Sequence, residues 1–179
     1  MKNSKDLVLV ALFTALITIG AFLKIPIPPA PITLQTLFVF MAGVLLGKRK
    51  ATISVIVYIT LGLIGLPIFT EGGGPGYIFK PSFGFLLAFI LAAYLIGYYI
   101  ENRKVNFKNV FIASTLGLLV IYTIGLPYLY YILNSVIGLE KSTWYVFKVG
   151  MFLYLPGDLL KIILTAVLVP RVHHRLKDF

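Results

Sequence analysis

Apolar residues along this chain gather into six long runs separated by short polar connections. The runs are Leu7 to Leu23, Thr33 to Gly47, Ala51 to Phe69, Ser82 to Ile100, Asn109 to Leu133 and Tyr145 to Pro170. A helix needs about 20 apolar residues to cross a bilayer, with about 17 to 25 the usual range. The pattern therefore predicts an all-α membrane protein of six transmembrane helices, built as a single domain over residues 1–179. The second run is short. The stretch before it, Lys24 to Ile32, holds four prolines that deny helix hydrogen bonds, so extended chain can dip into the membrane there only under protein cover. The first run follows Lys2 and Lys5 in the manner of a signal peptide. It continues to Leu23 with no A-x-A-like cleavage site before Lys24, and reads as a retained first helix.

Composition agrees with lipid as the main solvent. Apolar residues make up 59% of the 179 positions and charged residues 12%, about half the usual share in a soluble domain, and mean hydropathy is +0.97. A soluble chain this apolar would expose patches far beyond what monomers tolerate in water. The formal charge of +10 comes from cations in short clusters between the runs, which fits membrane topology rather than a basic nucleic-acid face. Counted over alternate connections, Lys2, Lys5, Lys48, Arg49, Lys50, Arg103, Lys104, Lys108, Arg171, Arg175 and Lys177 fall on one side. Lys24, Lys80, Lys141 and Lys148 fall on the other, eleven against four. By the positive-inside rule both termini are expected to be cytoplasmic, and the loops near Pro28, Gly73 and Glu140 face outward. The chain has no Cys, which excludes a disulfide framework and Cys-based metal sites. No long soluble domain and no inverted repeat of the kind found in many complete transporters interrupts the pattern.

The sharpest chemical feature is Leu155-Pro-Gly-Asp-Leu-Leu-Lys161, which sets Asp158 and Lys161 three residues apart on one face inside the last run. Either charge facing lipid costs at least about 2.5 kcal/mol on insertion scales, so the pair should turn inward, as a ligand site or as a packing salt bridge. A purely structural pair gains little over apolar packing. Pro156 and Gly157 are expected to kink the helix, and Tyr154 lies one turn earlier. Together these offer an acceptor, a cationic donor and an aromatic wall to a polar ligand. Thr70 to Gly84 carries five glycines, permissive chain for a lid or a plain connector.

Other features weigh less. Gly43-Val-Leu-Leu-Gly-Lys48 has three residues between its glycines where a phosphate loop needs four, and Arg49 stands where Ser or Thr belongs. Its glycines instead form a small-xxx-small packing pair, as do Ala11 and Ala15, Ala88 and Ala92, and Ala113 and Gly117. Tyr128, Tyr130, Tyr131, Trp144, Tyr145 and Phe147 flank the third outward loop, where an interfacial aromatic belt is expected. His173 and His174 sit in a basic tail with no further His, so no metal site is expected. No span contains a His, a nucleophile beside a base or paired carboxylates, so no catalytic residues and no enzyme are expected.

Taken along the chain, Ile25-Pro-Ile-Pro-Pro-Ala-Pro-Ile-Thr-Leu-Gln35, Met41-Ala-Gly-Val-Leu-Leu-Gly47, Leu61-Gly-Leu-Ile-Gly-Leu-Pro67 before the glycine loop, and Pro156-Gly-Asp-Leu-Leu-Lys161 resemble the BioY family, the biotin-specific S components of energy-coupling-factor (ECF) vitamin importers. The resemblance implies a six-helix S-component bundle in the cell membrane, with a pocket opening outward between the first two outward loops and the last helix. Asp158, Lys161 and Gln35 match the family's polar pocket positions; Tyr154, Gly73, Tyr77 and Ser82 are added as lining residues. Ala11 and Ala15 match the pair by which S components dock on a membrane coupling subunit, with two cytoplasmic ATPase subunits as further partners. The chain departs from the family at Lys80-Pro-Ser-Phe-Gly84, where Phe83 replaces a glycine.

The implied ligand is biotin, with no cofactor. Asp158 would accept from the ureido N–H groups, Lys161 would meet either the ureido oxygen or the valerate carboxylate, and Gln35 can both donate and accept. Alternatives from the same residues are an S component for another vitamin and a non-transporting membrane scaffold.

Overall fold

A computed structural model describes residues 4–177, with side chains described through His173. Lys2 and the side chains of His174, Arg175 and Lys177 lie outside the described residues. The elements are α1 Ser4–Phe22, β1 Lys24–Ile25, β2 Ile32–Thr33, α2 Gln35–Leu63, α3 Phe83–Glu101, α4 Phe107–Tyr131, α5 Thr143–Phe147 and α6 Leu155–Lys177. A 3-10 turn covers Pro75–Phe79, and π turns at Ile132–Val136 and Lys148–Phe152 extend α4 and lead from α5 toward α6. Among the described residues four stretches are long and apolar enough to cross a membrane: Ser4–Phe22, Phe83–Glu101, Phe107–Val136 and Thr143–His173. The fold is a helical membrane bundle.

The remaining two apolar runs are the limbs of α2. Gly47 interrupts that helix at φ 73, ψ 172, a backbone state open to glycine and strained for other residues. The chain doubles back there. Gln35 Nε2 donates to the Tyr58 hydroxyl at 2.8 Å, although 23 residues separate the two, and a straight helix would hold them about 35 Å apart. The reversal nests against α3 because Gly97 has no side chain: a Cβ on it would lie 2.2 Å from the Lys48 backbone nitrogen. Lys48, Arg49 and Lys50 therefore begin the second limb of the helix rather than forming a separate loop.

α1 packs on α2, α2 on α3, α3 on α4, and both α2 and α4 on α6. Lipid tails are as apolar as leucine, so close packing of small residues, more than water exclusion, holds such helices together. Three of the four small pairs serve this purpose. Ala88, Ala92 and Ala113 are fully buried, a Cβ on Gly43 would meet Ile96 at 2.6 Å, and one on Gly117 would meet the same side chain at 2.5 Å.

Several boundaries differ from the sequence reading. α2 begins at Gln35 rather than Thr33, because Ile32–Thr33 pairs antiparallel with Lys24–Ile25 and the proline-rich segment becomes a hairpin. Its second limb stops at Leu63 rather than Phe69, just ahead of Gly65, whose φ of 115 is not helical. Pro156 kinks no helix interior. It is the second residue of α6, where its missing N–H would have been unpaired in any case.

Candidate functional site

One end of the bundle gathers the start of α2, the glycine-rich loop, the start of α3, the middle of α4 and the start of α6. The hairpin lies over them. They enclose a cavity lined by Ala30, Pro31, Thr33, Gln35, Thr36, Thr70, Tyr77, Ser82, Phe85, Leu86, Phe89, Ile121, Tyr122, Gly150, Tyr154, Asp158 and Lys161.

At its charged pole, Asp158 and Lys161 are each 6% exposed. They share a face because α6 starts at Leu155 and carries both within its first two turns. Lys161 Nζ donates to Asp158 Oδ1 at 2.8 Å, and the Tyr122 hydroxyl of α4 donates to Asp158 Oδ2 at 2.6 Å. Both carboxylate oxygens thus have partners. The Asp158 N–H donates to the Tyr154 carbonyl at 2.9 Å, and the Tyr154 hydroxyl donates to the carbonyl of Ala30 in the hairpin. A single chain of contacts runs from the first loop to the ion pair.

The other polar group is neutral. Thr33 Oγ1 lies 3.3 Å from Gln35 Oε1, whose amide nitrogen donates to Tyr58; Tyr58 in turn donates to the Ile68 carbonyl at 3.2 Å. The hydroxyls of Thr70 and Tyr77 lie 2.7 Å apart, and Ser82 Oγ is 3.2 Å from Tyr77. An aromatic cluster underlies the glycine-rich loop: the Tyr58 and Phe69 rings meet edge to face at 5.3 Å, and Phe69 and Tyr77 are tilted at 4.4 Å. Gly62 makes room for Phe69, because a Cβ there would lie 2.1 Å from the ring. Two side chains tie the loop down further, Lys24 donating to the Thr70 carbonyl and Tyr128 to that of Ile78.

The structure brings Gln35, Tyr77, Ser82, Tyr154, Asp158 and Lys161 around one cavity. Gly73 does not line it. A Cβ on Gly73 would sit 2.1 Å from the Leu66 carbonyl oxygen, so the residue lets the loop fold onto the end of α2. Phe83 is absorbed by packing, buried at 6.5 Å from the Tyr77 ring and 6.1 Å from Tyr128. Sequence reasoning missed Tyr122, Thr70, Thr36 and the apolar wall of Phe85 and Phe89. Tyr122 had a signal of its own, a hydroxyl mid-run that needs a partner inside a membrane. Ala11 and Ala15 sit elsewhere, exposed on an α1 face with Leu7, Val8 and Leu12. Theirs is the one small pair the fold leaves uncovered among the described residues.

Fold and site together define a helical membrane protein that encloses an ion-paired polar cavity near one end. Comparison with known proteins makes this specific. The model of the BioY family matches residues 1–178, and the chain belongs to that family. It is 44% identical over 173 residues to a probable biotin transporter BioY of Lysinibacillus sphaericus, covering 96% of this chain and 88% of the relative. It is 34% identical over 170 residues to the biotin transporter BioY of Thermotoga maritima, covering 94% and 95%. The S component for biotin from an ECF-type ABC transporter superposes with a TM-score of 0.84 at 34% identity, over 97% of this chain and 95% of that one.

Proposed function

We propose that this chain is the biotin-binding S component of an ECF-type importer in the cell membrane. The observation that carries the reading is the buried Asp158–Lys161 pair, braced by Tyr122 and facing a cavity, in a chain of the BioY family. Biotin presents a ureido ring with two N–H donors and one carbonyl acceptor, an apolar thioether ring and an anionic valerate tail. Asp158 supplies the acceptor, held in place by the Tyr122 hydroxyl, Lys161 the donor, and Phe85, Leu86 and Phe89 an apolar wall. Where the loops order around the ligand and exclude water, charge-assisted bonds of this kind are strong enough for nanomolar affinity, about −12 kcal/mol.

The two limbs of α2 together with the four long stretches make six membrane crossings, with both termini cytoplasmic and the cavity outward. The eleven-to-four division of cations supports that orientation. Nothing in the chain supplies energy, so two cytoplasmic ATPase subunits and a membrane coupling subunit complete the transporter. The uncovered Ala11 and Ala15 face supports docking through α1. An Ala15→Trp variant should keep biotin binding and lose ATP-driven uptake in vesicles.

The direct test is the thermal stability of purified protein against a vitamin panel, since a ligand at 100 times its Kd adds about 2.7 kcal/mol to the folded state. A shift with biotin alone, lost in Asp158→Asn, supports the reading. A shift with another vitamin reassigns the substrate, and no shift with any favours a scaffold.

A further inference from the structure

A second concave surface lies outside the bundle, between α3 and α4. Its walls are apolar, with Leu91, Leu95 and Tyr98 on one side and Leu116, Leu119 and Ile124 on the other. It shares no residue with the cavity of the site. Nor does it belong to the α1 face, since α1 packs on α2. Along α3 it runs from Leu91 to Tyr99, about 12 Å of helix.

The groove ends one turn from the connection at 102–106, and that connection is basic. The Arg103 side chain folds back over the groove's end, its guanidinium carbon 3.9 Å from the Tyr99 ring centroid and Nη1 donating to the Tyr99 carbonyl at 2.7 Å. Lys104, in the same connection, and Lys108, in the first turn of α4, are exposed. The neighbouring acid, Glu101, is held by Lys48 at 2.8 Å. Among the described residues no carboxylate pairs with Arg103, Lys104 or Lys108.

A greasy slot closed at one end by cations has the chemistry of a phospholipid. We propose that the α3–α4 groove binds an anionic phospholipid, an acyl chain lying along Leu95 and Leu119 and the phosphate meeting Arg103, with Lys104 and Lys108 selecting negative charge. A guanidinium held flat on Tyr99 still has donors to offer a phosphate in its planar fork. The acid nearest this end, Glu101, is already engaged by Lys48, so the cation of a zwitterionic headgroup would have to compete for it while Arg103 remains without an acid partner. Basic pockets between membrane helices recognise anionic headgroups in this way, each cation contributing about a fivefold preference.

Native mass spectrometry of the full chain, mixed with phosphatidylglycerol or phosphatidylcholine, tests the assignment. The expected result is preferential retention of phosphatidylglycerol, reduced about fivefold in Arg103→Ala and abolished in Leu119→Trp, which fills a lipid-facing slot without touching the core. Arg103→Lys should restore part of the preference, which a variant that merely misfolds would not do. Equal retention of both lipids, or retention unchanged in both Arg103→Ala and Leu119→Trp, overturns the proposal. Efficient disulfide dimers of a Leu119→Cys variant would overturn it in favour of a second copy of this chain.

Discussion

Two ion pairs in this molecule have the same length and opposite surroundings. Lys161 and Asp158 lie 2.8 Å apart with side chains 7% and 8% exposed, at the pocket end of the bundle. Lys48 and Glu101 also lie 2.8 Å apart, but at the far end of α3 and with side chains 26% and 37% exposed. Distance alone says they are equivalent; burial says they are not. Taking two charges out of water costs several kcal/mol per ion, and the pair repays it only if every remaining lone pair is satisfied. Tyr122 supplies one such bond to the carboxylate of the buried pair, and the sites left over face the cavity. The exposed pair can exchange its bonds for water at little cost, so its main effect is to neutralise Glu101 beside a basic connection.

If this contrast is right, the largest effect comes from breaking the buried pair one side at a time. Lys161→Ala should lower stability by about 3 to 5 kcal/mol, because it strands the Asp158 carboxylate, and should remove the biotin-dependent thermal shift. The double variant Asp158→Leu with Lys161→Leu removes both charges together. It should lose less stability than Lys161→Ala, its remaining cost being the Tyr122 hydroxyl left without an acceptor, and still show no biotin shift, which separates the pair's binding role from any structural one. Recovery of the biotin shift in that double variant would sink the assignment of the site.

A smaller effect sharpens the same point. Tyr122→Phe leaves Asp158 Oδ2 without its 2.6 Å donor, and biotin affinity measured by calorimetry should weaken about tenfold, a loss of about 1.4 kcal/mol. Equal affinity would mean that the tyrosine only packs. The smallest effect belongs to Glu101→Gln, which should leave both melting temperature and biotin affinity where they were at moderate salt. A large loss there would show that exposure is a poor guide to the worth of an ion pair in this bundle.

Much of the helical plan was legible because a bilayer demands long apolar runs and the runs are individually recognisable. The glycine that reverses α2 is the last residue of the second run, so even that turn left a mark, although the cations after it joined a helix instead of a loop. Asp158 and Lys161 announced themselves because charge inside an apolar run is expensive unless it is used. Phe69 was harder. It reads as the end of a membrane run, yet Gly62, seven residues earlier, opens the space that lets its ring turn under the loop.

The sequence by itself thus determined where helices form, that they belong in lipid, which family they resemble, and that one acid and one base must face inward. These are properties of local periodicity and transfer energy, which neighbours in the chain already specify. Only the tertiary structure decided that Tyr122, 36 residues from Asp158, donates to its carboxylate, that Gln35 meets Tyr58 across a reversed helix, and that Ala11 and Ala15 stay uncovered while the other small pairs are packed away. Those outcomes depend on which faces meet across helices distant in the chain, and side-chain complementarity at those crossings is not written in any one segment.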